Sequence, residues 1–308
     1  MELPIKIQLP NNFLEEEIRC GYTVSSKIKA VWAVELDLYK ELERVCDKYG
    51  LTVYADGGTM IGAARHEGFI PWDDDIDLAM SRQDYEKLCA VADKEFEHPY
   101  FFQTEKTNPG IVRGHAQLRN SLTTAINMND VDLDINQGIF IDIFPYDNVP
   151  DESNERHKFL KEILSLEKEA KRYRDYYKGL NKSEGLIKAL KEVYLYFFMK
   201  IHRDYNNKQY IALEEFKQKY NSVETDLWSN VAIILKDKID RGVVKKEYYR
   251  KTIDMKFEFI TLKVPSMYDE YLTKLYGNWK KFVIGNNVHG QLIFDPYEPF
   301  TKYVKSNK

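Results

Sequence analysis

The stretch that decides the fold is Asp56-Gly-Gly-Thr-Met-Ile-Gly-Ala-Ala-Arg65-His-Glu-Gly-Phe-Ile-Pro-Trp72-Asp-Asp-Asp-Ile-Asp77. Immediately before it, residues 51–55 alternate in polarity and are rich in branched and aromatic side chains, which predicts a β-strand. The glycines that follow predict a tight turn, and residues 60–65 predict a short helix. Residues 72–80 alternate acidic and apolar side chains, as a half-buried strand does. The stretch therefore predicts a strand, a glycine turn, a short helix and a second strand.

The second predicted strand carries four carboxylates within five residues, at Asp73, Asp74, Asp75 and Asp77. Strand alternation predicts that Asp75 and Asp77 point to one side, with Asp73 at the strand entrance and Asp74 on the opposite face. Crowded carboxylates repel one another, and a divalent cation such as Mg²⁺ or Mn²⁺ offsets that repulsion. We therefore interpret this run as a metal site. The alternative is a solvated acidic turn, which the apolar residues within the run disfavour.

Two further features complete the predicted site. Gly57, Gly58 and Thr59 would place backbone N–H groups against a phosphate at the positive end of the short helix. Asp142 lies in an otherwise apolar strand over residues 139–144, where a carboxylate is rarely buried without a partner. A glycine turn, an Asp-x-Asp strand and a third carboxylate from a neighbouring strand together form the constellation of nucleotidyltransferase folds.

Other segments give local predictions. Apolar spacing predicts a helix over residues 25–49 that ends at Gly50. Ser81 and Asp84 have the spacing of a capping box at the start of another helix. Pro145 is expected to end the strand that contains Asp142, because proline has no N–H to donate to a sheet.

The predicted fold class is α+β, a nucleotidyltransferase-like fold with a mixed sheet flanked by helices and a helical insertion. Residues 1–150 are predicted to form the catalytic core with the acidic metal site. Residues 151–220 are rich in Lys and Glu and predict two or three inserted helices. Residues 221–308 are predicted to complete the core, with a strand over residues 255–264 and a helix that Pro265 opens.

Composition excludes several classes of protein. The chain has 308 residues, 44% hydrophobic and 31% charged, which is typical of a globular protein and not of a disordered one. Residues 1–150 hold 14 Lys and Arg against 26 Asp and Glu, and the remainder holds 31 against 23, so the two parts carry −12 and +8. The acidic first part argues against nucleic acid as a partner. The basic second part could face an anionic partner or membrane surface, although solvated helix faces are the favoured explanation.

The expected location is the cytoplasm, where a lipid-linked acceptor would be met at the inner face of the membrane. No apolar run reaches the roughly 20 residues that span a bilayer, and the N-terminus lacks the pattern of a signal peptide. The three cysteines show no metal-ligand spacing, in keeping with a reducing compartment.

These motifs resemble the LicD/fukutin-type phosphotransferases, a family named for bacterial phosphocholine transferases. The matching segments are Gly57-Gly58-Thr59-Met-Ile-Gly62-Ala-Ala-Arg65-His66, Gly68-Phe-Ile-Pro71-Trp72-Asp73-Asp74-Asp75-Ile-Asp77, Ile141-Asp142-Ile-Phe-Pro145, Val264-Pro265 and Tyr276-Gly277. The resemblance implies metal-dependent transfer of a substituted phosphate, such as phosphocholine from CDP-choline, to a sugar hydroxyl of a cell-surface glycan, with release of CMP. Lipopolysaccharide, teichoic acid and capsule are the implied acceptor classes.

Carried over residue by residue, the resemblance implies roles for the acidic residues. Asp75 and Asp77 would be metal ligands, with Asp73 close by. Asp142 would be a third ligand or the base for the acceptor hydroxyl.

The resemblance also implies a set of substrate-binding residues: Gly57, Gly58, Thr59, Arg65, His66 and Trp72. The glycines and Thr59 would contact phosphate, and Arg65 and His66 are further phosphate candidates, although a structural role for His66 is an equal alternative. A quaternary ammonium binds to aromatic faces, so at least one of the aromatic residues that flank the metal motifs is expected to contact a choline head group. These residues are Trp72, Tyr54, Phe140 and Tyr146.

Three alternatives stay open. Within the same fold, the transferred group could be ribitol phosphate or glycerol phosphate. An Asp-x-Asp glycosyltransferase would also bind metal and a sugar nucleotide, although the preceding glycine turn argues against it. Outside the enzymes, the chain could be an interaction protein in which the acidic turn is only structural.

Overall fold

The computed structural model describes residues 2–108, 111–128, 130–131, 133–179, 203–284 and 292–304, with the single positions 190, 193, 194 and 197. The fold is α+β, with a mixed sheet flanked by helices, as the sequence predicts. The chain forms two compact units. One comprises Met1–Gln103, His115–Pro145 and Val244–Lys308, and the other comprises Thr104–Gly114 and Tyr146–Val243. The predicted division into residues 1–150, 151–220 and 221–308 stays a prediction.

The helices of the described residues are, in chain order, α1 (Ser26–Tyr49), α2 (Gly57–His66), α3 (Arg82–Glu95), α4 (Ser153–Gly179), α5 (Arg203–Lys217) and α6 (Tyr268–Tyr276). The strands are β1 (Glu17–Arg19), β2 (Tyr22–Val24), β3 (Val53–Ala55), β4 (Asp77–Ser81), β5 (Tyr100–Gln103), β6 (Ala116–Asn120), β7 (Thr124–Asn127), β8 (Ile139–Val149), β9 (Leu227–Asn230), β10 (Val243–Lys245), β11 (Thr252–Phe257), β12 (Ile260–Pro265) and β13 (Leu292–Asp295).

The predicted ends of the first helix are confirmed. Ser25 is the N-cap of α1, and its hydroxyl accepts a hydrogen bond from the N–H of Ile28. Gly50 follows the last residue with a left-handed φ of 63°, a conformation that glycine adopts without strain. The predicted start of α3 is also confirmed, since Ser81 is its N-cap and the hydroxyl of Ser81 accepts from the N–H of Asp84 at 3.1 Å.

The sheet of the first unit brings together the segments that carry the predicted site. Its strand order is β5-β6-β8-β4-β3, and α2 connects β3 to β4. β6 and β8 are antiparallel, with Gln117 opposite Asp142. The N–H of Asp142 donates to the carbonyl of Ile76 at 2.9 Å. The acidic run, which ends at the start of β4, therefore lies beside Asp142.

The prediction that Pro145 ends a strand is wrong, because β8 continues to Val149. β8 pairs with β6 along residues 139–143 and with β9 along residues 146–149. Pro145 lies between these paired segments, where neither of the two ladders requires its missing N–H.

The segment predicted as one strand over residues 255–264 is instead a hairpin of β11 and β12. Its turn contains Glu258, which has a positive φ of 56°. A non-glycine residue in this conformation gives no turn signal in the sequence. Pro265 is the last residue of β12 and does not open α6, although that helix ends at Gly277 as predicted.

The second unit contains the helices predicted between residues 151 and 220. α4 and α5 pack around an apolar cluster that includes Val149, Phe159, Leu160, Ile163, Leu213 and Val231. Most of residues 180–202, on which the prediction of a third helix falls, lie outside the described residues. No helix in the described ranges is both long and apolar enough to cross a membrane.

Candidate active site

The helix α2 begins earlier than predicted, so the Gly-Gly-Thr segment is its first turn rather than a turn before it. Asp56 is the N-cap, and its carboxylate accepts from the N–H of Gly57 at 2.8 Å. The hydroxyl of Tyr271, on α6, donates to the same carboxylate oxygen. A capping carboxylate fixes the start of a helix, so Asp56 and Tyr271 hold the positive end of α2 in place.

The two glycines of this turn lie directly against acidic side chains. A Cβ atom at Gly58 would lie 2.9 Å from Oδ2 of Asp73, and one at Gly57 would lie 3.4 Å from Oδ2 of Asp77. Gly57 also has a positive φ of 48°. A larger side chain at either position would therefore enter the space between α2 and the acidic run, which explains why both residues are glycine.

Asp73, Asp74 and Asp75 form a compact carboxylate cluster. One ligand oxygen of each lies within 4.8 Å of the others, a spacing that suits a shared cation. The three do not alternate as predicted, because β4 begins only at Asp77. Asp73 instead lies in a turn, where its N–H donates to the carbonyl of Ile70 at 2.9 Å. Asp74, expected on the opposite face, is buried and its carboxylate belongs to the same cluster, while Asp73 and Asp75 are half-buried.

Asp77 lies next to this cluster and is held by α2. Its N–H donates to the hydroxyl of Thr59 at 2.8 Å, so this hydroxyl positions the acidic run. Burial raises the pKa of Asp77 well above its usual value, and the nearby charges of Asp75, Asp142 and Asp56 raise it further. Such an accumulation of carboxylates fits a bound divalent cation, which would offset the repulsion.

Asp142 is oriented by two side chains that the sequence analysis did not identify. Its Oδ1 accepts from Nε2 of Gln117 at 2.7 Å and from Nε2 of His115 at 2.9 Å. Both donors come from β6 or the residue before it, and the ring of His115 packs on Phe144. Only the strand register could have revealed these neighbours, since Gln117 lies 25 residues from Asp142.

Glu35 is a further carboxylate that the sequence analysis missed. It lies on α1 with 1% of its surface exposed, and its Oε2 has no hydrogen-bond partner among the described residues. Burial is the largest cause that raises the pKa of Glu35 well above its usual value, and the negative charges of Asp75 and Asp74 raise it further. A signal existed in the sequence, because Glu35 follows Val31 by one turn and so shares the buried side of α1.

Arg65 and His66 are placed at the other end of α2. Arg65 donates to the carbonyls of Trp279 at 2.9 Å and Lys281 at 3.3 Å, and its Nε donates to Nε2 of His66 at 2.9 Å. Burial, together with the charge of Arg65, lowers the pKa of His66 to about 4. His66 is therefore neutral at pH 7, and both side chains are engaged in holding the segment after α6.

Trp72 lies between two aromatic rings immediately before the acidic cluster. Its ring centroid is 6.0 Å from that of Tyr22 and 5.3 Å from that of Phe282, both in edge-to-face geometry. Tyr22 and Phe282 are 36% and 41% exposed, and Trp72 is half-buried. The structure thus places a solvent-accessible aromatic group next to the carboxylates.

Comparison with known proteins gives one matching family model and several related proteins. Residues 50–182 match the family model described as LicD/FKTN/FKRP, nucleotidyltransferase domain. The chain is 28% identical over 259 residues to the lipopolysaccharide cholinephosphotransferase LicD of Haemophilus influenzae, a match that covers 80% of this chain and 88% of that protein. An uncharacterised protein of Rickettsia prowazekii is 35% identical over 70 residues, which are 23% of this chain and 25% of that protein.

The matched residues 50–182 contain α2, the acidic run and Asp142, so the family model covers the residues from which the site is built. Over these residues the chain is therefore similar to the nucleotidyltransferase domain of LicD/FKTN/FKRP proteins.

Proposed function

We propose that this chain transfers phosphocholine, or a related substituted phosphate, from a CDP-linked donor to a sugar hydroxyl of a cell-surface glycan, and releases CMP. The observation that carries the proposal is the carboxylate cluster at Asp73–Asp75, which lies against the glycines that begin α2. The relationship to a cholinephosphotransferase over most of both chains makes the protein an enzyme of the same class, a transferase of phosphorus-containing groups. A nucleotidyltransferase-like fold is part of the proposal.

The carboxylates would hold the cation that this chemistry requires. Asp73, Asp75, Asp77 and Asp142 are the proposed ligands of Mg²⁺ or Mn²⁺, and Asp74 lies among them. The bound ion would neutralise charge on the diphosphate of the donor.

The protein's own groups would perform the remaining steps. The first turn of α2 leaves backbone N–H groups without partners inside the helix, and those of Gly58 and Thr59 would bind the phosphate. Asp142, oriented by His115 and Gln117, would take the proton of the acceptor hydroxyl if it does not serve as the remaining metal ligand. The hydroxyl oxygen then forms a bond to the phosphorus that carries choline, and the bond from that phosphorus to the CMP oxygen breaks. CMP leaves with the electron pair of that bond.

A donor screen tests the proposal. The purified full chain is incubated with Mg²⁺, a lipopolysaccharide acceptor and, in separate reactions, CDP-choline, CDP-ethanolamine, CDP-ribitol or CDP-glycerol, and free CMP is measured. We expect CMP release from CDP-choline that stops when EDTA removes the metal. CMP release only from CDP-ribitol or CDP-glycerol would mean that the transferred group is ribitol phosphate or glycerol phosphate, while the proposed type of reaction would stand. Turnover of a sugar nucleotide and of none of these CDP-linked donors would contradict the proposal. So would the absence of turnover with every donor tested.

The aromatic group around Trp72 is proposed to select the choline head group. A quaternary ammonium cannot donate hydrogen bonds, and an aromatic face attracts it by about 0.5 to 2 kcal/mol. We therefore expect Trp72→Ala to raise KM for CDP-choline by about two- to thirtyfold, with a smaller effect for CDP-ethanolamine. Trp72→Phe, which keeps an aromatic face, is the matched control. Equal increases of KM for both donors would assign Trp72 a packing role only.

A further inference from the structure

The buried carboxylate of Glu35 has no structural explanation in the fold alone. Its Oε2 is buried and has no hydrogen-bond partner among the described residues. A buried carboxylate oxygen without a partner is costly, and native structures nearly always satisfy such an atom with a protein group, an ordered water or an ion. An occupant of the site is therefore needed to explain Glu35.

The position of Glu35 on α1 directs it toward the acidic cluster. Trp32 lies three residues earlier on the same helix, so its side chain shares a face with Glu35. The indole N–H of Trp32 donates to the backbone carbonyl of Asp73 at 2.9 Å. This face of α1 therefore lies on the acidic run, and the charges that act on Glu35 are those of the cluster and of Asp142.

Glu35 is not one of the three residues whose ligand oxygens lie within 4.8 Å of one another. Asp77 and Asp142 also lie outside this group, but they belong to the motifs of the site and Glu35 does not, so we treat Glu35 as a neighbour of the cluster rather than a direct ligand. Mg²⁺ in proteins is usually bound by one or two carboxylates and keeps several water molecules. Each of these waters needs an acceptor for its hydrogen atoms, and acceptors of this kind tune metal affinity.

We infer that Glu35 accepts a hydrogen bond from a water molecule bound to the cation in the Asp73–Asp75 cluster, and so acts as a positioning residue for that cation. The inference rests on the metal site of the proposed function. It assigns a task to an α1 residue that lies before the segment matched by the family model.

The test is metal binding by the full chain without substrate, measured by calorimetry with Mg²⁺ and by the Mn²⁺ spin-resonance signal. Glu35→Gln keeps the shape of the side chain but removes its charge and replaces one of its two acceptor oxygens with an NH2 donor. We expect it to raise the Kd for both ions by about 10- to 100-fold, as loss of such an acceptor typically does. Without metal, the variant should melt at the same temperature as the wild type or higher, because a buried acid among aspartates has been removed.

Two further variants serve as controls for this test. Glu43→Gln makes the same change elsewhere on α1, where Glu43 pairs with Lys40, and should leave the Kd unchanged. Glu35→Leu fills the site with an apolar side chain and should show the same loss of affinity as Glu35→Gln if the acceptor matters. An unchanged Kd in the Glu35 variants, or a lower melting temperature without metal together with normal binding, would overturn the inference and leave the metal site intact. Absence of metal binding by the wild type would overturn both.

Discussion

Asp75→Asn and Asp77→Asn are each expected to reduce kcat by about a hundredfold or more. Each substitution removes an anionic oxygen from the centre that would hold the cation, and charge stabilisation by a metal ion contributes several kcal/mol to such transition states. Every 1.36 kcal/mol corresponds to a tenfold change in rate. The measurement is the steady-state release of CMP from CDP-choline at saturating Mg²⁺.

Two further variants make this result interpretable. Asp93→Asn removes an exposed carboxylate of α3 and should leave kcat unchanged. Asp74→Asn would be mild if the acids alternated along a strand, but its carboxylate is buried in the cluster, so we expect it to weaken turnover as well. Near-normal kcat in folded Asp75→Asn or Asp77→Asn would show that the acidic run is structural.

Asp142→Asn is expected to lower kcat by about 100- to 10,000-fold, the usual contribution of general base catalysis. The amide keeps an oxygen that can accept from His115 and Gln117, so the fold should survive. Without metal, the variant should melt at the wild-type temperature or above, because the charge of Asp142 repels Asp77. The measurements are CMP release and thermal unfolding in EDTA. A clearly lower melting temperature in EDTA would identify Asp142 as a structural hydrogen-bonding residue.

Local signals in the sequence were enough for several elements. Ser25 and Gly50 mark the ends of α1, because a hydroxyl cap and a left-handed glycine act within a few residues of the helix they bound. The acidic run after a glycine turn likewise identified the segments that the fold brings together. These predictions needed no knowledge of distant contacts.

The remaining features depend on contacts between residues far apart in the chain. The hydrogen bond from Trp32 to Asp73 crosses 41 residues and holds the acidic run in a turn, which strand periodicity cannot anticipate. The neighbours of Asp142 follow from the register of β6 against β8, which no local pattern encodes. Glu35 was overlooked for a different reason, since a single acid on a long helix is ordinarily a solvated residue.

The hydrogen bond from Tyr271 to Asp56 has a consequence for how the protein is made. The two residues are 215 positions apart, and the first unit is completed only by residues that follow Val243. At roughly 5 to 20 residues per second, the ribosome adds Tyr271 about 10 to 40 s after Asp56. During that interval the nascent chain contains the whole acidic run but not α6. The start of α2, which lies beside the acidic run, is therefore not yet fixed by Tyr271. Products that end between Asp142 and Tyr271 should therefore contain α2, the acidic run and Asp142 and still be inactive.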